Sequence, residues 1–344
     1  MRLRLILLLL VLLGGTAELL SLAPHRALAS SLPSTVHGSM LITELKRTAS
    51  SSSYTPVVAI EKHDSADIDP VASYEDLIYA QPELIDASLQ QLASQTPGRV
   101  DLYAVGFAGD AAEPPFRKEV DYLSTLMAQR FHSARHTIEL INSPHTFERT
   151  PLATRTNLYQ ALAGIAKKMD VDEDVLLLFL TSHGSPDHQL YVEMGAMPLD
   201  QLTPEDIRDA LDAASIHWRI VIVSACYSGG FIPALRDPRT LVITAARSDR
   251  ASFGCGNDSQ ITWFGKAFLT QALNQTTDFH AAFLRARQTI AAWETRDHET
   301  PSEPQYWAGP LIQQKLDAWR VSLASSRVGL STPGSPKQSA AAGR

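Results

Sequence analysis

Short, almost wholly apolar stretches alternate along this chain with stretches that repeat their apolar residues every three to four positions. The first kind reads as strands buried on both faces and the second as amphipathic helices. Strands are expected over 100–107, 137–142, 174–181, 219–225 and 241–245. Helices are expected over 74–92, 116–131, 156–169, 204–214, 261–273 and 278–294, and a further helix opens in 229–235. Thr203 stands where the 204–214 helix needs an N-cap. Strands without a polar face, separated by helices, require a mainly parallel sheet covered on both sides. The expected fold class is α/β, doubly wound, with one core over roughly 97–300. In such sheets a ligand site lies at the carboxyl ends of the strands.

The ends of the chain read differently. Met1-Arg2-Leu3-Arg4 precedes an apolar run from Leu5 to Leu13, and Ala27-Leu28-Ala29 precedes Ser30. A basic flank, an apolar core and a small-x-small site make residues 1–29 a signal peptide or N-terminal anchor. The expected location is therefore exported: periplasmic or secreted, with membrane attachment only through the N-terminus. Residues 30–55 read as a Ser/Thr-rich tether, 56–96 as an N-terminal helical segment, 97–322 as the main domain and 323–344 as a disordered tail.

Composition narrows the function. With 44% apolar and 19% charged residues the chain is an ordinary globular protein. A formal charge of −7 excludes a general nucleic-acid binder, which presents a basic surface. Two cysteines in 344 residues are too few for a disulfide scaffold or a four-cysteine zinc site, and no cofactor is expected.

Two strand ends carry chemistry. One reads Leu178-Phe179-Leu180-Thr181-Ser182-His183-Gly184-Ser185, the other Val221-Ile222-Val223-Ser224-Ala225-Cys226-Tyr227-Ser228-Gly229-Gly230. If the strands are neighbours, His183 and Cys226 face one cleft. A thiolate is the nucleophile, and a nearby imidazole activates it and protonates a leaving amine. Backbone N–H groups of Gly184 and Cys226 are candidates for an oxyanion site. A strand-to-helix turn after Cys226 would add its N-terminal dipole in favour of the thiolate.

The His-Gly-Ser after one buried strand and the Ala-Cys-x-Ser-Gly after the next, 43 residues on from His183 to Cys226, resemble peptidase family C13. These are the legumain-like cysteine peptidases, which include the catalytic subunit of the GPI transamidase and share a wider clan with the caspases. The resemblance covers roughly 100–275 and looks like a bacterial-type member. It implies a caspase-like sheet and a cysteine endopeptidase acting on protein or peptide substrates. It also implies pocket positions: Arg117, in Phe116-Arg117-Lys118-Glu119, and Ser252, in the loop Thr244 to Cys255, with Ser224 two residues before the nucleophile.

The sequence departs from the family in instructive places. Pro115 stands where the family often has an Asn assisting the histidine, so a Cys–His dyad is expected. Ser224 and Thr262 stand where relatives carry pocket acids. A pocket that keeps Arg117 without its acids would turn P1 preference from Asn toward Asp. Other readings stay open. Cys226 and Cys255 form a disulfide by default in an exported chain, and Arg117 is a surface cation beside Glu119 and Asp121. A transamidase or ligase uses the same thioester, and a non-catalytic binding module uses the same scaffold. The physiological substrate and the oligomeric state are not written in the sequence.

Overall fold

The protein is described by a computed structural model for residues 74–256 and 259–329. The expected signal peptide or anchor at 1–29, the expected tether at 30–55, residues 56–73 and residues 330–344 lie outside the described residues.

The described chain opens on helix α1 (Tyr74–Gln91), which runs through Pro82 and ends close to its expected limit. Strand β1 (Leu102–Ala108), helix α2 (Pro114–Gln129) and strand β2 (Thr137–Ile141) follow. Helix α3 (Arg155–Ala166), strand β3 (Val175–Thr181), helix α4 (Pro204–Ala213) and strand β4 (Arg219–Ser224) continue the alternation. Thr203 caps α4 as expected, and Asp206 reaches back to it in a reciprocal capping box. Then come the short helix α5 (Ile232–Leu235) and strand β5 (Thr240–Thr244). The next helix begins as α6 (Trp263–Gly265), widens to π geometry over Lys266–Ala272 and closes as α7 (Leu273–Gln275). Helix α8 (Phe279–Asp297), strand β6 (Gln305–Ala308) and helix α9 (Ile312–Gly329) complete it.

The six strands form one sheet in the order β2-β1-β3-β4-β5-β6. All pairs are parallel except β5 with β6. β1, β3, β4 and β5 are buried at every position, so helices must cover both faces. One face packs against α2, α8, α9 and the π-widened helix, through Phe116, Phe268, Phe279 and Trp319. The other packs against α1, α3, α4 and α5, through Ile85, Leu162, Leu211 and Leu235. The expected α/β doubly wound class is what the chain adopts.

Three expectations change. β6 carries no run of buried residues, being half-buried at all four positions, and it pairs antiparallel at the sheet edge; its signal was too weak to read. α9 continues to Gly329, beyond the expected start of a tail at 323. The reason is burial: Ile312, Leu316, Trp319 and Leu323 place one face of α9 in the core. The boundary between 96 and 97 also dissolves, because α1 shares a core with the sheet. Gln81 of α1 is buried, accepting from Leu152 N at 2.8 Å and from Asn157 Nδ2 at 2.8 Å.

Candidate active site

The two reactive residues sit at the C-terminal ends of adjacent central strands. β3 and β4 pair in register, with Thr181 opposite Ser224, and Ser182 N donates to Ser224 O at 3.3 Å. His183 and Cys226 therefore leave the sheet at the same level, where the strands stop bonding to each other. Beyond that point Gly184 lies against the Cys226 backbone. A β-carbon there would overlap the Cys226 carbonyl oxygen, so glycine is required.

Three contacts hold Cys226 Sγ at residue 252. Ser252 N donates to it at 3.3 Å, and Ser252 O and Oγ each lie 3.6 Å away. Ser252, expected from the family resemblance as a pocket residue, thus touches the sulfur itself. Both cysteines are free, and each is half-buried. Burial pushes the Cys255 thiol up to about 11, with the neighbouring Cys226 adding to the effect. The disulfide alternative is not what this structure contains.

After Cys226 the chain turns sharply. Tyr227 adopts a left-handed conformation at φ 57°, and its N–H donates to Arg250 O at 2.7 Å. A bulky residue there stores strain on the order of 1–3 kcal/mol. Ser228–Phe231 is a single 3-10 turn leading into the four-residue α5. The expected dipole is therefore corrected: the helix after Cys226 is too short to build a macrodipole. The His188 ring packs against Gly230 in this turn, leaving no room for a side chain.

The His183 side chain is 38% exposed and opens onto a cleft of about 400 Å³ lined also by Gly184, Ser185, Gln189, Tyr191 and Gln201. Phe116, buried on α2, presents its ring edge-on at 5.2 Å between centroids. On another side lies Asp110, just past β1, with Oδ2 3.8 Å from His183 Nε2 and only 3% exposed. The sequence offered no signal for Asp110, because β1 and β3 become neighbours only in the sheet order.

Arg117 and the missing acids resolve differently from the expectation. Arg117 Nη1 bonds Asp121 Oδ2 at 2.7 Å, one turn along α2. Its guanidinium is balanced and partly solvated, so the premise of an unpaired pocket cation fails. Ser224 and Thr262 lie beside a buried carboxyl, that of Glu119. Glu119 is fully buried and accepts from Thr181 Oγ1 at 2.6 Å, from Thr262 N at 3.1 Å and from Thr262 Oγ1. Ser224 Oγ lies 3.3 Å from Thr262 Oγ1 in the same cluster. Burial pushes Glu119 up to about 7 against these hydrogen bonds. Among the described residues no cluster of His, Cys, Asp and Glu could hold a metal ion, and no helix is long and apolar enough to cross a membrane.

A model of the peptidase C13 family matches residues 154–315. That stretch is similar to the peptidase C13 family. It spans β3 to β6 and contains both His183 and Cys226, whereas Asp110, Arg117 and Glu119 precede it. The likeness supports a cysteine-peptidase type of function acting on a protein or peptide. Among solved structures, one described as "structure of pro-sf-caspase-1" is similar at a TM-score of 0.43 and 12% identity, over 63% of this chain and 90% of that one. No curated protein matches the chain.

Proposed function

We propose that the protein is a cysteine endopeptidase that cleaves through an acyl-enzyme. The Cys226 thiolate adds to the scissile carbonyl while N–H groups of Gly184 and Cys226 bind the oxyanion. The C–N bond breaks, His183 gives its proton to the leaving amine, and a thioester remains on Cys226. His183 then takes a proton from water, whose oxygen displaces the sulfur and releases the new carboxylate. Ser252 holds the sulfur, while Ser224 and Arg117 are assigned to the P1 side. Asn fits that side better than Asp, because Arg117 already has Asp121 as its partner. The chemistry follows export directed by residues 1–29, so the thiol works in an oxidising compartment.

One observation carries the reading: Thr181 and Ser224 are register partners, and His183 and Cys226 each follow two residues later. The test is cleavage of a peptide library by the purified protein with mass-spectrometric mapping of cut sites. Cleavage by wild type, abolished in Cys226→Ala and in His183→Ala, is the expected result. Cleavage that survives Cys226→Ala overturns the proposal.

A further inference from the structure

Asp110 has no task in a two-residue mechanism, yet the fold holds it with care. Its Oδ1 accepts from Ala112 N at 2.8 Å, which fixes the carboxyl and turns Oδ2 to His183 Nε2 at 3.8 Å. The backbone is pinned on both sides. Gly109 N donates to Thr181 O at 3.0 Å, Glu193 N to Gly109 O at 2.9 Å and Ala111 N to Glu193 O at 3.3 Å. The same ribbon that holds Asp110 holds His183, for Tyr191 N donates to His183 O at 3.0 Å. A single short segment, 191–193, thus sets the distance between carboxylate and imidazole.

We propose that Asp110 is the positioning residue of His183, so that the site works as a Cys226–His183–Asp110 triad rather than a dyad. This deepens the catalytic reading of Cys226 and His183 and rests on it. With Nε2 turned to Asp110, Nδ1 is the nitrogen left to exchange protons with the sulfur and the leaving amine. The Asp110 carboxyl is hydrogen-bonded by Ala112 N–H and the Glu193 carboxyl, and the imidazolium formed during the reaction supplies the charged partner beside Oδ2. The distance exceeds a hydrogen bond, as is common before substrate binds and the site tightens.

Two further carboxyls lie beside this pair: Glu113, from the loop after β1, interacts with His183 and Asp110, and Glu193, from the ribbon, interacts with Asp110. Burial pushes Glu193 up, and the negative charge of Asp110 adds to it. Glu113 is raised by burial, lowered by His183 and raised again by Asp110.

The experiment measures the rate of iodoacetamide labelling at Cys226 against pH in the full-length protein, by mass spectrometry. Asp110→Asn removes the charge; Asp110→Ser also removes it while keeping an acceptor for Ala112 N–H. Both should label at least about tenfold more slowly than wild type at neutral pH. Both should converge with wild type at strongly alkaline pH, where a thiol ionises unaided. Profiles that superimpose on wild type overturn the proposal. So does a deficit in both variants that persists unchanged at alkaline pH, because that marks folding or access rather than charge. Labelling needs no peptide turnover. A wild type with the expected labelling profile that cleaves no peptide would sink the peptidase reading and leave the role of Asp110 standing.

Discussion

Gly184 and Cys226 touch backbone to backbone: the position of a β-carbon on Gly184 is already occupied by the carbonyl oxygen of Cys226. The residue after His183 therefore sets how close the strand end bearing Cys226 approaches. Gly184→Ala must push the two strand ends apart, because backbone cannot rotate away as a side chain can. We expect a cost on the order of 1–3 kcal/mol in stability, read by denaturant unfolding. Peptide cleavage and neutral-pH labelling of Cys226 should fall together. Unchanged stability and activity would show that the strand ends are free to separate.

The two thiols should react differently. Cys255 is pushed up to about 11, mainly by burial, so almost none of it is thiolate at neutral pH. Brief treatment with iodoacetamide at neutral pH should modify Cys226 and spare Cys255, as tryptic mapping would show. Cys255→Ala should keep the labelling of Cys226. Preferential modification of Cys255 would contradict both assignments.

Glu119 makes stability depend on pH. Its folded-state value of about 7 lies above the ordinary 4.5, so the folded protein holds the proton more tightly than the unfolded chain. That contribution is complete below about pH 4.5 and is lost as pH rises through about 7, a swing of about 3 kcal/mol. Glu119→Gln, which stays neutral, should flatten this decline in urea-unfolding midpoints measured across the range. A smaller decline remains from Asp174, buried and raised to about 6, and runs in the same direction. An unchanged slope in the variant would mean that Glu119 ionises as freely as a surface glutamate.

Substrate choice should follow from one ion pair and one hydrogen-bonded cluster. Arg117 is neutralised by Asp121, and the Ser224–Thr262 cluster contains the Glu119 carboxyl. Neither offers an unpaired cation to a P1 carboxylate. Of two peptides that differ only in Asn or Asp at P1, the Asn peptide should give the larger kcat/KM at neutral pH. Arg117→Gln should shift stability by no more than about 0.5 kcal/mol, as expected for an exposed pair one helical turn apart. A clear preference for Asp, lost in Arg117→Gln, would restore Arg117 as a carboxylate receptor.

Hydrophobic periodicity alone settled the α/β class, because strands such as Val175–Thr181 are apolar on both faces and leave no other stable arrangement. Local chemistry settled as much again: Thr203 as a cap, and His183 and Cys226 as residues standing just beyond buried strands. Those features depend on a residue and its near neighbours in the chain. What the tertiary structure decided depends on which strands become neighbours and in which register. Asp110 meets His183 only because β1 lies beside β3, and Glu119 meets Thr181 and Thr262 only because α2 packs over the strand ends. The first residues of the expected tail, 323–329, continue α9, whose Trp319 and Leu323 fill the core. A polar residue in an unpatterned loop carries no periodic signal, so its partner across the sheet is invisible until the sheet is built.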